Sequence, residues 1–324
     1  MAQQALRTSA LTEQETSARD DLDEILEGLS RPQKQISPKF FYDERGSRLF
    51  DAICDLPEYY LTRTELAIMA RHIGDIAALV GPQASVIEFG SGSSVKTRML
   101  LGNLDRLAAY VPVDISREHL MSAANSLATE FPDIEVWPVL ADFMQPFELP
   151  NPSVMPLRNV VYFPGSTIGN FLPDAAHDLL RVMYQEAGQD GALLIGVDLQ
   201  KDKRIIERAY NDASGTTAEF NLNILARINA DFGADFTLDA FRHHAFYNEE
   251  YGRIELYLVS ECKQTVHIDG RSFDFEREER ILTEYSHKYT LQQFGEIVSR
   301  AGFVVDTVWT DPEDFFSIQY CLRK

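Results

Sequence analysis

The chain has 324 residues, enough to bury a full hydrophobic core and more than the usual length of one domain. Its 30 basic and 50 acidic residues give a formal net charge of −20, which would repel nucleic-acid phosphates and anionic lipid surfaces. We therefore expect neither nucleic acid nor a membrane as a partner.

The cysteines and histidines predict no metal site and no disulfide framework. Cys54, Cys262 and Cys321 lie far apart without CxxC or cysteine–histidine spacing, and the seven histidines are scattered. The N-terminal residues lack the apolar core of a signal peptide, and no stretch approaches the roughly 18 to 20 apolar residues of a membrane span. We expect a cytoplasmic protein that acts as a monomer.

The first 82 residues predict two helices separated by an aromatic-rich segment. Leu22, Ile25 and Leu29 recur at helical spacing before Pro32. Residues 36–62 combine many aromatic side chains with turn-forming residues, and residues 62–81 have the pattern of a helix that Gly81 ends.

From residue 85 the pattern changes to short apolar strands that alternate with amphipathic helices. Such alternation is typical of a mostly parallel sheet covered by helices on both faces. We predict strands near 85–89, 109–113, 135–140, 157–164 and 191–198. We predict helices near 95–105, 116–128 and 173–187.

Residues 200–287 interrupt this rhythm, because about ninety residues is far longer than an ordinary loop of such a sheet. They predict an inserted α+β lobe, with helices over 201–230 and antiparallel strands after residue 253. After a helix near 290–301, two strands joined by a short turn close the chain. Strands joined in this way must be antiparallel, so the sheet should contain one reversed strand.

The best local candidate for a ligand site is the segment SVIEFGSGSSVKTRMLL at 85–101. Gly90 follows an apolar strand, and ligands of open α/β sheets bind at the carboxyl ends of strands. Asp114 and the pair Asp142–Phe143 follow the next two strands, where they would suit the ribose and adenine of a nucleoside. A glycine turn without a ligand, and a capping role for Asp114, are the structural alternatives.

A dinucleotide-binding GxGxxG motif would require glycine where Val95 stands. A nucleotide-binding oxidoreductase is therefore the minor hypothesis. With these segments in view, the chain resembles the histidine Nα-methyltransferases of ergothioneine biosynthesis, which trimethylate histidine to hercynine. The resemblance covers nearly the whole chain, and four strings carry it: FFYDERGSRLFDAICDLPEYYLTRTE at 40–65, IEFGSGSSVKTR at 87–98, FPGSTIGNF at 163–171 and LTEYSHKY at 282–289.

The resemblance implies a Rossmann-like class I methyltransferase sheet with an inserted α+β substrate-binding lobe. It assigns 63–199 and 288–324 to the cofactor-binding domain, and 1–62 and 200–287 to the substrate-binding lobe. The cofactor would be S-adenosyl-L-methionine and the substrate L-histidine. The implied cofactor contacts are Tyr42, Gly90, Ser91, Lys96, Asp114, Asp142 and Phe143.

The implied substrate contacts are Tyr59, Gly165, Asn170, Tyr210, Leu256, Glu284 and Ser286. Tyr59 and Asn170 would orient the reacting amine, and Glu284 with Ser286 would recognise the imidazole ring. Without the resemblance, Tyr59 has the ordinary interpretation of a packed aromatic, Asn170 that of a helix cap, and Glu284 that of a surface carboxylate. A related methyltransferase acting on tryptophan is the nearest rival, which the polar pair Glu284 and Ser286 disfavours.

Overall fold

The computed structural model describes residues 18–90 and 95–324, which form two compact units. The large-sheet unit comprises Arg63–Leu199 and Tyr289–Lys324, and the small-sheet unit comprises the described residues up to Thr62 together with Gln200–Lys288. The boundary predicted after His287 therefore falls one residue later. Lys288 belongs to the small-sheet unit because its backbone N–H donates to the Gly252 carbonyl oxygen at 2.8 Å.

Helices and strands follow one another along most of the described chain. The α-helices are α1 Ala18–Ser30, α2 Glu44–Cys54, α3 Tyr60–Val80, α4 Val95–Leu101, α5 Arg117–Glu130, α6 Pro173–Ala187, α7 Lys203–Ala209, α8 Thr216–Phe232 and α9 Leu291–Arg300. The strands are β1 Ala84–Phe89, β2 Ala109–Asp114, β3 Val139–Leu140, β4 Arg158–Phe163, β5 Ala192–Asp198, β6 Phe241–Asn248, β7 Arg253–Ser260, β8 Gln264–Ile268, β9 Arg271–Phe275, β10 Arg280–His287, β11 Phe303–Thr310 and β12 Phe316–Arg323.

The sheet of the large-sheet unit has the strand order β11-β12-β5-β4-β1-β2-β3 in the described chain. Its strands pair in parallel except where β12 runs antiparallel to both β5 and β11. This confirms a mostly parallel sheet with one reversed strand. Strands β1 and β5 are buried along their whole length, as expected for strands covered on both faces.

Two predicted elements of this unit are shorter than expected. The strand predicted at 135–140 is reduced to Val139–Leu140 and a single bridge from Val136 to Tyr110, because Pro138 has no N–H to donate to a ladder. The helix predicted at 95–105 ends at Leu101, where Gly102 and Asn103 begin a turn.

The small-sheet unit is built on an antiparallel sheet of order β10-β7-β6, with β8 and β9 as a separate hairpin. Residues 36–62, which the sequence predicts to be rich in turns, contain the helix α2, and this helix is capped at its start. The Asp43 carboxylate accepts the Gly46 N–H at 2.6 Å and the Asn223 side-chain N–H at 2.9 Å. These bonds satisfy an orphan donor of α2 and link the helix start to α8. Phe41 stacks on Phe220 of α8 at 4.5 Å between ring centroids.

Candidate active site

The turn after β1 is shaped by a glycine in the left-handed region. Gly90 has φ of +74°, which favours glycine, and its N–H donates to the Val113 carbonyl oxygen at 2.9 Å. This bond ties the carboxyl ends of β1 and β2 together. A Cβ at Gly90 would lie 3.8 Å from the Phe143 ring, so two predicted cofactor contacts are neighbours. Ser91, another predicted contact, lies outside the described residues.

Each of the two aspartates after β2 and β3 folds its own turn. Asp114 accepts the Ser116 N–H at 2.8 Å, and Asp142 accepts the Met144 N–H at 2.9 Å. Burial raises the pKa of Asp114 to about 6, against the lowering effect of the Ser116 bond. The N-cap position of α5 is Ser116, so the capping role considered for Asp114 is wrong, and Asp114 keeps a carboxylate at the end of β2.

Phe143 packs on the aromatic core of the same sheet. Its ring stacks on Phe89 at 5.5 Å and meets Phe163 edge-on at 6.0 Å. The ring is half-buried. One part of it therefore completes the core beside β1, and the rest is open for a flat ligand.

A buried carboxylate that the sequence analysis missed connects two predicted site residues. Glu65, only 1% exposed, lies 2.7 Å from the Lys96 ammonium and accepts the Gly165 N–H at 3.0 Å on both oxygens. Gly165 has φ of +79°, so the chain turns there in a conformation that favours glycine. Removing one partner of a buried ion pair is strongly destabilising, because the other charge stays buried without compensation. Glu65 therefore fixes both Lys96 and the loop after β4.

Asn170 ends a short 3-10 helix, Thr167–Asn170, in the loop before α6. The N-cap position of α6 is Leu172, so the capping role considered for Asn170 is wrong. Its side chain is half-buried and bonds to no other residue in the described parts of the chain. A half-buried amide in this condition has its donor and acceptor available for a ligand.

The small-sheet unit contains a cluster of aromatic residues that includes three predicted contacts. Tyr59 meets Tyr210 edge-on at 6.1 Å and Phe50 at 6.3 Å, and Tyr42 meets Phe50 at 5.8 Å. Burial raises the pKa of the Tyr59 phenol well above its ordinary value, with Tyr210 and Glu284 among the nearby groups that add to the shift. Tyr59 is therefore a neutral hydroxyl with its aromatic ring in the cluster, while Tyr42 is 39% exposed.

Glu284, Ser286 and Leu256 share one face of the small sheet. Glu284 lies directly opposite Leu256 on β7, and Ser286 lies opposite Ile254 two positions along, so both polar side chains point the same way. Leu256 is buried at 1% exposure. The expectation of one face for Glu284 and Ser286 is confirmed.

The Glu284 carboxylate is half-buried and accepts no hydrogen bond from any residue within 18–90 or 95–324. Burial raises its pKa to about 7, and the positive charge of Lys288 opposes that shift. A desolvated carboxylate without a donor is unfavourable in the folded protein and is relieved by a ligand that brings an N–H.

Lys288 is a buried cation that the sequence analysis did not identify. Its ammonium donates to the Tyr210 hydroxyl at 2.9 Å and to Ser286 Oγ at 2.8 Å, and these two oxygens are 2.9 Å apart. Nothing local in the sequence marks it except its position two residues after Ser286. The backbone carbonyl oxygen of Tyr210 forms a hydrogen bond with His243 Nε2 at 2.9 Å. Burial lowers the pKa of His243, which favours the neutral form of its ring.

The described residues contain no group of three or more side chains arranged to hold a metal ion. None of the helices in the described ranges combines the length and apolarity that spanning a bilayer requires.

The fold and the strand-end groups define a class of protein, the α/β enzymes that bind a nucleoside-containing cofactor at the carboxyl edge of the sheet. Residues 21–323 match the sequence model of one family, described as "Histidine-specific methyltransferase, SAM-dependent". The chain belongs to this family of histidine-specific, S-adenosylmethionine-dependent methyltransferases.

Three relatives illustrate the range of the similarity. The chain is 38% identical to histidine N-alpha-methyltransferase from Mycolicibacterium smegmatis, over 93% of this chain and 94% of that protein. It is 30% identical to ergothioneine biosynthesis protein 1 from Neurospora crassa, over 86% of this chain but only 32% of that longer protein. It is 28% identical to an L-tryptophan methyltransferase from Psilocybe serbica, over 92% of this chain and 90% of that protein.

Proposed function

We propose that this protein transfers methyl groups from S-adenosylmethionine to the α-amino group of L-histidine, in three steps that give hercynine, the first step of ergothioneine biosynthesis. The family membership supports the reaction class, and the names of the mycobacterial and Neurospora relatives support the substrate and the pathway. The observation that carries the substrate is Glu284. It is a desolvated carboxylate without a hydrogen-bond donor, and it shares a strand face with Ser286.

The cofactor fits the groups at the end of the large sheet. Gly90, Asp114, Asp142 and Phe143 offer a tight turn, two carboxylates and a half-exposed ring, and we assign the nucleoside to them. With a pKa of about 6, Asp114 is mostly ionised near neutral pH and can accept hydrogen bonds from ribose hydroxyls. We also assign cofactor contacts to Tyr42, Ser91 and Lys96. When bound, S-adenosylmethionine supplies a methyl group activated by a sulfonium.

The protein's own task is to present a neutral amine in line for displacement. The α-amino group of histidine is mostly protonated near neutral pH, so the site must favour loss of that proton by partial desolvation and hydrogen bonding. We assign the orientation of the amine to Tyr59 and Asn170. The neutral Tyr59 phenol and the Asn170 amide, which has no partner in the described residues, support this assignment. Gly165 and Tyr210 complete the proposed contacts to the amino-acid backbone.

The aromatic cluster of Tyr42, Phe50, Tyr59 and Tyr210 suits the product. A trimethylated amine is a cation without N–H donors, so hydrogen bonds no longer hold it. Faces of aromatic rings attract such cations by roughly 0.5 to 2 kcal/mol. The cluster therefore supports repeated methylation of one amine.

Selectivity for histidine follows from the face that bears Glu284, Ser286 and Leu256. An imidazole brings an N–H to the carboxylate and a second nitrogen to the serine, whereas the phenylalanine ring offers no nitrogen to either group. A site built around such hydrogen bonds strongly rejects analogues that lack the hydrogen-bonding groups. Tryptophan has a single ring N–H, and so satisfies only one of the two groups.

We assign cofactor binding to 63–199 with 288–324 and substrate binding to 1–62 with 200–287, except that Lys288 joins the substrate side. We also propose a cytoplasmic monomer. Cys54, Cys262 and Cys321 form no disulfide in the described residues.

Calorimetric titration of histidine into protein saturated with S-adenosylhomocysteine tests the proposal, with tryptophan and phenylalanine as controls. Mass spectrometry of a reaction with S-adenosylmethionine follows the product. We expect selective binding of histidine and a product three methyl groups heavier. Binding of the cofactor product without histidine would reject the substrate, and preferential binding of tryptophan would favour the rival methyltransferase.

A further inference from the structure

Lys288 is an unusual residue because its ammonium is buried. The residue is 2% exposed, and its charge lies beside two hydroxyl groups that the proposed function assigns to the substrate. Its Nζ also lies 4.9 Å from the centre of the Tyr210 ring. Lysine is rarely buried to this extent, since desolvating a charge is costly unless its partners recover the energy.

The chemistry of the ammonium fixes the direction of the hydrogen bonds around it. An ammonium can only donate, so Ser286 Oγ and the Tyr210 hydroxyl both accept from Lys288. The two oxygens also share one hydrogen bond with each other at 2.9 Å. The phenolic proton is the more acidic of the two, so Tyr210 is the better donor in that bond.

With Tyr210 as the donor, both lone pairs of Ser286 are in use, one by Lys288 and one by Tyr210. The remaining capacity of Ser286 is then its own proton. Ser286 makes no further hydrogen bond within the described residues, and its side chain points to the same side of β10 as Glu284. The face therefore presents one donor, Ser286, and one acceptor, the carboxylate of Glu284.

A donor and an acceptor side by side match a neutral imidazole, which has one N–H and one bare nitrogen. They do not match an imidazolium, which has two N–H groups and no acceptor. The charge of Lys288 acts in the same direction, because it repels a second cation and favours the ionised form of Glu284.

We propose that Lys288 is a positioning residue that determines which form of the ring is recognised: it turns the Ser286 hydroxyl into a donor, so that histidine binds with a neutral ring whose N–H faces Glu284 and whose bare nitrogen faces Ser286. This inference rests on the proposed substrate. It adds a residue, and a protonation state of the ligand, to that proposal.

The small-sheet unit offers a matched control. Lys201 donates to the Tyr60 hydroxyl at 2.7 Å and lies 4.4 Å from the centre of that ring, so it repeats the lysine–tyrosine contact without the serine. Lys201→Met and Lys288→Met therefore remove the same type of contact. Lys288→Arg keeps a cation with donors at the site under test.

The experiment records the ¹⁵N spectrum of ring-labelled histidine bound to the full protein with S-adenosylhomocysteine, at pH about 6.5, where a free imidazole is about half protonated. We expect the wild type and Lys201→Met to give one protonated and one bare ring nitrogen. Lys288→Met should give a ring that is doubly protonated or averaged between tautomers, with histidine affinity lowered about tenfold or more. Lys288→Arg should keep part of the wild-type pattern.

A doubly protonated ring in the wild type would overturn the inference, as would an unchanged spectrum and affinity in Lys288→Met. If Lys288→Met does not fold, the wild-type spectrum decides alone, since only a neutral ring in one tautomer agrees with the proposal. A wild type that binds the cofactor product but no histidine would overturn the proposed substrate and this inference together. The two failures are therefore distinguishable.

Discussion

Glu88 on β1 and Glu284 on β10 are both glutamates of strands, and burial raises the pKa of each to about 7. Their surroundings differ. Glu88 accepts hydrogen bonds from the Tyr110 hydroxyl and, at 2.8 Å and 3.0 Å, from the Thr97 hydroxyl. Glu284 accepts none from the described residues.

The difference separates a structural carboxylate from a binding one. The fold itself supplies the donors that Glu88 needs, and these bonds tie β1 to β2 and to α4. Glu284 carries the cost of burial without that compensation. A shifted pKa alone thus points to both residues, and only the account of hydrogen-bond partners singles out Glu284.

The largest expected effect belongs to Glu284→Ala. Loss of the acceptor for the imidazole N–H should lower kcat/KM for histidine about 100-fold or more, and should weaken the preference over tryptophan and phenylalanine. The melting temperature should stay level or rise, because the variant removes a carboxylate without a donor. Kinetics on the three amino acids and a thermal melt measure both.

Glu284→Gln serves as the partner variant, since it keeps an acceptor oxygen and loses the charge. It should retain more histidine selectivity than the alanine variant. Full histidine preference in Glu284→Ala would contradict the assigned role.

Glu88→Ala should act on stability instead. It leaves the Tyr110 and Thr97 hydroxyls buried without their acceptor, which should lower the free energy of unfolding by about 2 to 4 kcal/mol. Urea unfolding at neutral pH measures the change, with Glu88→Gln as the milder comparison. A loss under about 0.5 kcal/mol would place Glu88 among groups that the fold does not need.

Asp114→Asn tests the cofactor edge of the sheet. The variant loses the negative charge of the carboxylate that would accept hydrogen bonds from the ribose hydroxyls, which should weaken binding of S-adenosylhomocysteine about tenfold. The preference for histidine over phenylalanine should stay as in the wild type. Asp105→Asn is a suitable control, because Asp105 is exposed and precedes the opposite end of β2. Equal affinities in the two variants, measured by calorimetry, would reject the ribose contact.

The smallest effect concerns the pH dependence of stability. The folded pKa of Glu284, about 7, exceeds the unfolded value of about 4.3, so the folded state binds the proton more tightly. This group therefore stabilises the fold at low pH, and the contribution is lost as pH rises from about 4.3 to about 7.

Urea unfolding of the wild type and Glu284→Gln at pH 5 and pH 7.5 measures this contribution. The wild type should lose about 1 kcal/mol relative to the variant over that interval, a figure reduced for the partial exposure of the side chain. Glu88 is present in both proteins and cancels. A parallel pH dependence of the two proteins would show that Glu284 is not desolvated.

The pattern of apolar runs and turn residues was sufficient to predict the large sheet. Strands such as β1 and β5 are continuous apolar runs bounded by turn residues, and the final hairpin required a reversed strand. The predicted extent of β3 was wrong because apolar periodicity does not register the missing N–H of Pro138. Helix α2 was missed although Asp43 is a favoured capping residue and Leu49, Phe50 and Ile53 recur at helical spacing, because Gly46 and Ser47 near its start are weak helix formers.

Site residues were predictable where they lie in a sequence string that carries the resemblance. Interactions between residues far apart in the sequence were not predictable. Glu65 and Lys96 are 31 positions apart, and Tyr210 and Ser286 are 76 apart. Neither pairing leaves a local pattern. Lys288 was overlooked for a further reason, since a lysine after a strand is ordinarily a solvated residue.

The register of β10 has a consequence for insertions and deletions. The pairing with β7 shifts by one position between Leu282 and Glu284, so that Glu284 lies opposite Leu256 rather than Glu255. Loss of one residue at Thr283 would remove this bulge and keep Glu284 opposite Leu256 and Ser286 opposite Ile254, because Thr283 is the extra residue of the strand. A regular ladder that keeps Thr283 would instead place Thr283 and Tyr285 opposite Leu256 and Ile254, and would turn Glu284 and Ser286 to the other face. The bulge thus decides which of the two faces of β10 carries the recognition groups.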